Sequence, residues 1–215
     1  MTTLRNRNSL LTLAIVIASV LTYSAITTAF VTAQANVPVG EDGLHKPDWL
    51  SISFRDVSED IAEAAENSKR HIILFEQQGC IYCEKMHKTV LQDPEVVAYI
   101  KEHFVVIQYN LYGDEEVTDT DGDVLTEKTA SEKWGINFTP TWMFMPEQLD
   151  GNSHAADAAD GNMYGAFGKG TFLDMLTWIN QNGFDSDEGF QRFHSRRISE
   201  RQAAAGENAS SVATD

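Results

Sequence analysis

The 215-residue sequence is poor in cysteine, proline and basic residues. Its two cysteines, Cys80 and Cys83, cannot build the disulfide framework of a small secreted domain. They also fall short of the roughly four ligands that a structural zinc ion takes. Because Glu84 stands where a c-type haem requires a histidine directly after the second cysteine, haem attachment is excluded too.

Basic side chains are outnumbered two to one, with 16 Lys and Arg against 32 Asp and Glu and a net charge of −16. A field of this sign repels phosphate, so we expect no nucleic-acid partner. The same charge favours a soluble chain, which we expect to be a monomer, and protein partners with basic or neutral docking faces.

The first 35 residues are predicted to be an export signal. Arg5 and Arg7 precede an apolar stretch from Leu10 to about Val31, and Ala-Gln-Ala at residues 33–35 fits a cleavage site. Cleavage would leave 14 basic and 32 acidic residues, a net charge of −18. The apolar stretch approaches the roughly 20 residues of a spanning helix, so an uncleaved inner-membrane anchor is the alternative. In either case the positive-inside rule places the remaining chain in the periplasm.

The rest of the sequence alternates helical and strand patterns, which is typical of an α/β domain. We predict a lead at residues 36–50, a folded domain at 51–184 and a polar, disordered tail at 185–215, because the tail has few large apolar residues to bury. Predicted helices cover residues 56–70, 80–91, 126–134 and 171–182, with a further helix that begins at Asp93-Pro94, and predicted strands cover 72–76, 104–109, 142–145 and 163–167.

An acidic insertion at residues 110–125 is predicted to form a hairpin or surface excursion. Its Asp119-Thr120-Asp121-Gly122-Asp123 segment raises calcium binding as an alternative. An EF-hand loop needs glycine at its sixth position, whereas Gly122 is fourth from Asp119, so the sequence favours a surface turn.

The Cys80-Ile81-Tyr82-Cys83 motif carries the clearest chemical signal. It follows the apolar run Ile72 to Phe75 and opens a predicted helix, whose N-terminal N–H groups and dipole stabilise a thiolate. A purely structural bridge is the alternative, but the stabilisation from a cross-link grows with the loop it closes, and this loop is very short. Redox chemistry is therefore the favoured interpretation.

Three motifs follow one another along the chain: Cys80-Ile81-Tyr82-Cys83, then Trp134-Gly135-Ile136-Asn137-Phe138-Thr139-Pro140-Thr141, then Gly165-Ala166-Phe167-Gly168-Lys169-Gly170. In these motifs and their order the sequence resembles the thioredoxin family. Through Asp93-Pro94-Glu95-Val96 and the acidic insertion it is similar, within that family, to the exported SoxW-type thioredoxins of bacterial sulfur oxidation. The resemblance implies a thioredoxin-like fold with a central mixed sheet flanked by helices, and with polar insertions after the second core strand and before the last strand.

By this resemblance, Cys80 is the exposed nucleophile and Cys83 the resolving thiol. Pro140 is implied to follow a cis peptide bond, which would leave the Thr139 backbone free to pair with an extended client segment. The middle residues Ile81 and Tyr82, which replace the usual Gly-Pro, are expected to contact the client together with Thr139 and Pro140.

Two positions depart from the family pattern. Leu74 replaces the buried acid that many thioredoxins have six residues before the first cysteine, and Gly79 replaces the preceding tryptophan. Glu76 and Glu84 are candidates for proton handling at Cys83, although exposed charges are the commoner outcome for such residues. Met86 and His87 raise copper binding as an alternative, but we predict no metal and no cofactor beyond the Cys80–Cys83 disulfide.

The sequence thus predicts a periplasmic thiol-disulfide oxidoreductase that reduces protein disulfides or modified cysteines in sulfur oxidation. Its implied electron donor is a membrane thiol transporter of the CcdA or SoxV type, and its clients are periplasmic proteins. Two alternatives stay open: an oxidase or isomerase like DsbA or DsbC, and a non-enzymatic thioredoxin-like module that binds partners or senses redox state.

Overall fold

The computed structural model describes residues 37–212, with side chains described for residues 37–206. The predicted export signal at residues 1–35 lies outside the described residues. Within the described part of the chain, no helix is long and apolar enough to cross a membrane.

Seven strands and seven α-helices follow one another along the described chain. The strands are β1 (Leu50–Ser51), β2 (Arg70–Glu76), β3 (Phe104–Asn110), β4 (Glu116–Thr118), β5 (Val124–Thr126), β6 (Thr141–Phe144) and β7 (Gly161–Tyr164). The helices are α1 (Val57–Glu66), α2 (Ile81–Thr89), α3 (Pro94–His103), α4 (Glu127–Lys133), α5 (Ala155–Ala158), α6 (Lys169–Asn180) and α7 (Phe190–Val212).

Five of the strands form one mixed sheet in the order β1-β3-β2-β6-β7. Strands β1 and β2 pair with β3 in parallel, whereas β6 pairs with β2, and β7 with β6, in the antiparallel direction. The parallel pair β2 and β3 is joined through α2 and α3, as a parallel connection requires. The predicted α/β class with a central mixed sheet flanked by helices is therefore confirmed.

Strand β2 lies at the centre of the sheet and is buried along its whole length. Ile72 and Leu74 pack into one core with Trp142 of β6, while Ile73 and Phe75 pack into the other core. Alternate residues of a strand point to opposite faces, so a continuous apolar run covers both faces of the sheet. Helix α2 begins just beyond the carboxyl end of this strand, which fixes the position of the cysteine motif.

The acidic insertion forms the predicted hairpin, in which β4 and β5 pair in the antiparallel direction. The ammonium group of Lys133 lies among its carboxylates, 2.9 Å from Asp119, 2.6 Å from Asp121 and 2.8 Å from Asp123. The Lys133 ammonium group therefore occupies the position among these aspartates where a calcium ion would have to bind.

The end of the chain differs from the predicted disordered tail. Residues Phe190–Val212 form helix α7, which packs against α6. Asp174 of α6 is fully buried and accepts two hydrogen bonds from Arg201, at 2.8 and 2.9 Å, and it lies 2.6 Å from His194 Nδ1. The prediction failed because it considered apolar content alone, whereas this helix is ordered by Phe193 and by charged side chains that meet one buried acid.

Candidate active site

The two cysteines lie at the N-terminus of α2 and form a disulfide with each other. Cys80 is more accessible than Cys83, at 7% against 1%, but it is buried rather than exposed as expected. Cys80 is the N-cap residue, and its Sγ accepts a hydrogen bond of 3.0 Å from the backbone N–H of Cys83. The preceding Gly79 has φ +73°, a left-handed conformation that favours glycine and that turns the chain from β2 into the helix. Because helix N-termini stabilise negative charge, this arrangement suits a thiolate at Cys80 once the disulfide is reduced.

A second loop lies against the disulfide. The peptide bond between Thr139 and Pro140 is cis, and Thr139 Oγ1 donates a hydrogen bond of 3.3 Å to Cys80 Sγ. The backbone N–H of Gly165 donates to the Pro140 carbonyl at 2.7 Å, which ties the loop to the end of β7. The three sequence motifs that carry the resemblance therefore meet at one edge of the sheet.

Large apolar side chains surround this edge but face solvent. Ile81, Tyr82 and Phe138 are 69%, 57% and 66% exposed. Tyr82 and Phe138 line an open cavity of about 300 Å³ together with Thr139, Tyr164, Gly165 and Ala166. Of the four residues predicted to contact a client, Tyr82 and Thr139 thus line one groove, and Ile81 and Pro140 adjoin them in the chain.

Residues 57–155 match the family model of a thioredoxin-like domain. The chain has a thioredoxin-like fold. No curated protein matches the chain at the level required for a reliable relationship. Among solved structures, it is similar to a thioredoxin-fold protein from Helicobacter pylori at 19% identity, covering 71% of this chain and 97% of that chain with a TM-score of 0.46. It is also similar to a thioredoxin from Thermus thermophilus at 21% identity, covering 58% and 83% with a TM-score of 0.44.

The two carboxylates considered for proton handling occupy opposite environments in this fold. Glu84 is exposed and accepts a hydrogen bond from Lys88, which lowers the pKa of Glu84. Glu76 is only 1% exposed, so exposure was the right expectation for Glu84 and the wrong one for Glu76. Among the described residues, the hydrogen bonds to the cysteine sulfurs come from Cys83 N and Thr139 Oγ1, and a proton-handling role for Glu76 or Glu84 stays a prediction.

Glu76 belongs to a buried polar cluster on the core side of α2. Its Oε1 and Oε2 lie 3.0 and 3.2 Å from His87 Nε2, and its Oε2 accepts a hydrogen bond of 2.6 Å from Gln108. His45 of the lead stacks on His87 with ring centroids 4.3 Å apart, and Trp49 stacks on the same imidazole at 6.4 Å. Partial burial, and then the neighbouring His87, lower the pKa of His45.

Sequence reasoning missed most of this cluster. It singled out Glu76 and His87 separately, and it assigned no role to His45 or Gln108. The helical spacing could have predicted the burial of His87. It follows Cys83 by one helical turn and therefore lies on the same face of α2, which the core covers.

Proposed function

We propose that this chain is a thiol-disulfide oxidoreductase that reduces disulfides or modified cysteines of exported proteins. One observation carries the proposal: the Cys80–Cys83 disulfide caps the N-terminus of α2 while Thr139 Oγ1 of the cis-proline loop lies 3.3 Å from Cys80 Sγ. A helix N-terminus and a hydroxyl donor both favour a thiolate at the same sulfur. Cys80 is therefore the attacking residue.

The reaction begins with the reduced dithiol. The Cys80 thiolate attacks one sulfur of the client disulfide, the client S–S bond breaks, and the departing client thiolate takes up a proton. Cys83 then loses its proton and attacks Cys80 Sγ, which closes the Cys80–Cys83 disulfide and releases the second client thiol. Two electrons pass to the client, and the site ends in its disulfide form.

The client segment would lie in the groove beside the disulfide. Thr139 is partly exposed next to Cys80, so its backbone can pair with an extended chain by strand addition. Tyr82, Phe138 and Tyr164 offer apolar surface there. We therefore expect clients with an apolar residue close to the reactive cysteine.

Re-reduction requires an electron donor, which we propose to be a membrane thiol transporter of the CcdA or SoxV type. This proposal and the assignment to sulfur oxidation rest on the resemblance to SoxW-type thioredoxins. The periplasmic location rests on the export signal predicted at residues 1–35. The net charge of −16 favours docking faces that are basic or neutral.

Insulin reduction tests the activity. The purified protein with dithiothreitol should reduce insulin disulfides well above the rate of dithiothreitol alone, and Cys80→Ser should abolish that excess. Cys83→Ser should instead accumulate mixed disulfides through Cys80, because the resolving thiol is gone. Insulin reduction that persists in Cys80→Ser would contradict the mechanism.

The reduction potential tests the direction of electron flow. A value near roughly −270 mV would fit a reductase, whereas one near roughly −120 mV would fit an oxidant of the DsbA kind. If Cys83→Ser recovered only noncovalent partners from a periplasmic extract, the chain would be a binding module.

A further inference from the structure

The buried cluster around Glu76 places a carboxylate in the protein interior, and in the described part of the chain neither a lysine nor an arginine hydrogen-bonds to it. Among the described residues, the only ion-pair partner of Glu76 is His87, and its remaining hydrogen bond comes from the neutral amide of Gln108. Both Glu76 and His87 are 1% exposed. An ionised carboxylate in the protein interior is stabilised by a positive charge beside it, and a bound cation would supply one here.

The donors needed to bind a metal cation are already close together. One nitrogen each from His45 and His87 and one oxygen from Glu76 all lie within 4.8 Å of one another. Two imidazoles and one carboxylate are a donor set that zinc uses when it keeps a further coordination position open. We propose that His45, Glu76 and His87 form a binding site for a divalent transition-metal cation of the zinc class.

Gln108 of β3 orients two parts of this site. Its Nε2 donates to Glu76 Oε2 at 2.6 Å and to the backbone carbonyl of His45 at 2.9 Å. Its Oε1 in turn accepts a hydrogen bond of 2.7 Å from Lys46. Metal sites depend on such outer contacts to fix the ligands, so Gln108 is a positioning residue of the proposed site.

One ligand must turn for the cation to bind. The rings of His45 and His87 are nearly parallel, with an interplanar angle of 19°, and parallel stacked imidazoles cannot direct their in-plane lone pairs at one ion. His45 is the ligand that can turn, because it is partly exposed and lies in the lead before the first sheet strand. Glu76 and His87 would stay in place, and the cation would enter from the side of the lead.

The cation site is separate from the thiol chemistry. In the disulfide form neither cysteine offers a thiolate, so any cation bound by that form must use other ligands. The inference therefore does not rest on the proposed redox function. It can be tested on the disulfide form of the protein, which has no free thiol.

The experiment uses the full chain without a polyhistidine tag, in its disulfide form and freed of metal with a chelator. Titration with Co²⁺ should give the visible absorption of a four-coordinate site, saturating at one ion per chain, and Zn²⁺ should displace it. His45→Ala and Glu76→Gln should each weaken binding at least about tenfold, and Gln108→Ala by about 10- to 100-fold. Circular dichroism checks that each variant folds.

His154→Ala is the matched control, because His154 Nε2 also lies close to an acid, 3.1 Å from Asp157, but outside the cluster. It should leave the affinity unchanged. If Glu76→Gln fails to fold, His45→Ala decides the matter, since this side chain is partly exposed. The absence of saturable one-to-one binding, binding that survives His45→Ala, or binding lost in His154→Ala would overturn the proposal.

Discussion

The solvent side and the core side of helix α2 each carry residues that depart from the usual distribution. Its first turn exposes Ile81 and Tyr82, whereas its core side buries His87 beside Glu76. Apolar residues normally line the core face of a helix and polar residues the solvent face. Two departures on one short helix indicate that each side is built for an interaction beyond packing.

The two sides of α2 differ in what contacts their unusual residues. The buried side finds its partners inside the chain, from Gln108 and from His45 in the lead. On the exposed side, Ile81 and Tyr82 stay open to solvent among the described residues, and their apolar surface adjoins the groove beside Cys80. We therefore expect substitutions on the buried side to change the free energy of unfolding, and substitutions on the exposed side to change client binding.

The largest effect should separate the two glutamates near the cysteine motif. Glu76→Ala removes the acceptor of His87 and one of the two acceptors of Gln108 Nε2, and each buried polar group that loses a partner costs about 1–3 kcal/mol. We expect a loss of about 3–5 kcal/mol in the free energy of unfolding, measured by urea denaturation of the disulfide form. Glu84→Ala removes an exposed pair with Lys88 and should leave the free energy of unfolding nearly unchanged. Equal losses in the two variants would show that the two sides of α2 do not differ as argued.

The exposed side of α2 could be predicted from sequence, but the buried side could not. The apolar run Ile72 to Phe75 predicted a central strand, and the two-residue spacing of the cysteines predicted that they can close into a disulfide, because both signals are local. The burial of Glu76 depends on Gln108 in the neighbouring strand and on His45 in a lead without periodicity. Such contacts arise from the tertiary fold, and no short pattern encodes them. Helix α7 escaped prediction for the same reason, since its order depends on Asp174 of α6.

A second buried histidine, His71, provides a comparison with His87, because no carboxylate among the described residues hydrogen-bonds to the His71 side chain. His71 lies on β2 like Glu76, but burial in the sheet lowers its pKa from 6.5 to about 4. Between these values the unfolded chain binds more protons than the folded one, so His71 destabilises the fold as the pH drops from about 6.5 to about 4. Above about pH 6.5 this effect is absent.

The comparison is between the native chain and His71→Leu. Leucine fills a similar volume in the sheet but cannot bind a proton. Relative to the variant, the native chain should lose about 3 kcal/mol of unfolding free energy between pH 6.5 and pH 4. Burial also raises the pKa of Asp60 and of Asp160 to about 6, but both residues are present in both proteins and their effects cancel. Urea denaturation at several pH values measures the difference. Parallel pH profiles would mean that the buried His71 does not resist protonation.

The smallest effect, on the exposed side, concerns two tyrosines with similar exposure, Tyr82 at 57% and Tyr112 at 64%. Tyr82 lines the groove beside Thr139, whereas Tyr112 lies in the acidic insertion. Because losing apolar contact with a client segment costs about 1 kcal/mol, Tyr82→Ala should raise the KM for a protein disulfide about fivefold and leave the rate with a small disulfide unchanged. Tyr112→Ala should change neither quantity, and both variants should keep the native unfolding free energy within about 0.5 kcal/mol. Steady-state kinetics with insulin and with a small disulfide measure the KM and the rate. An equal rise in KM for Tyr112→Ala would show that the groove beside Cys80 does not select the client.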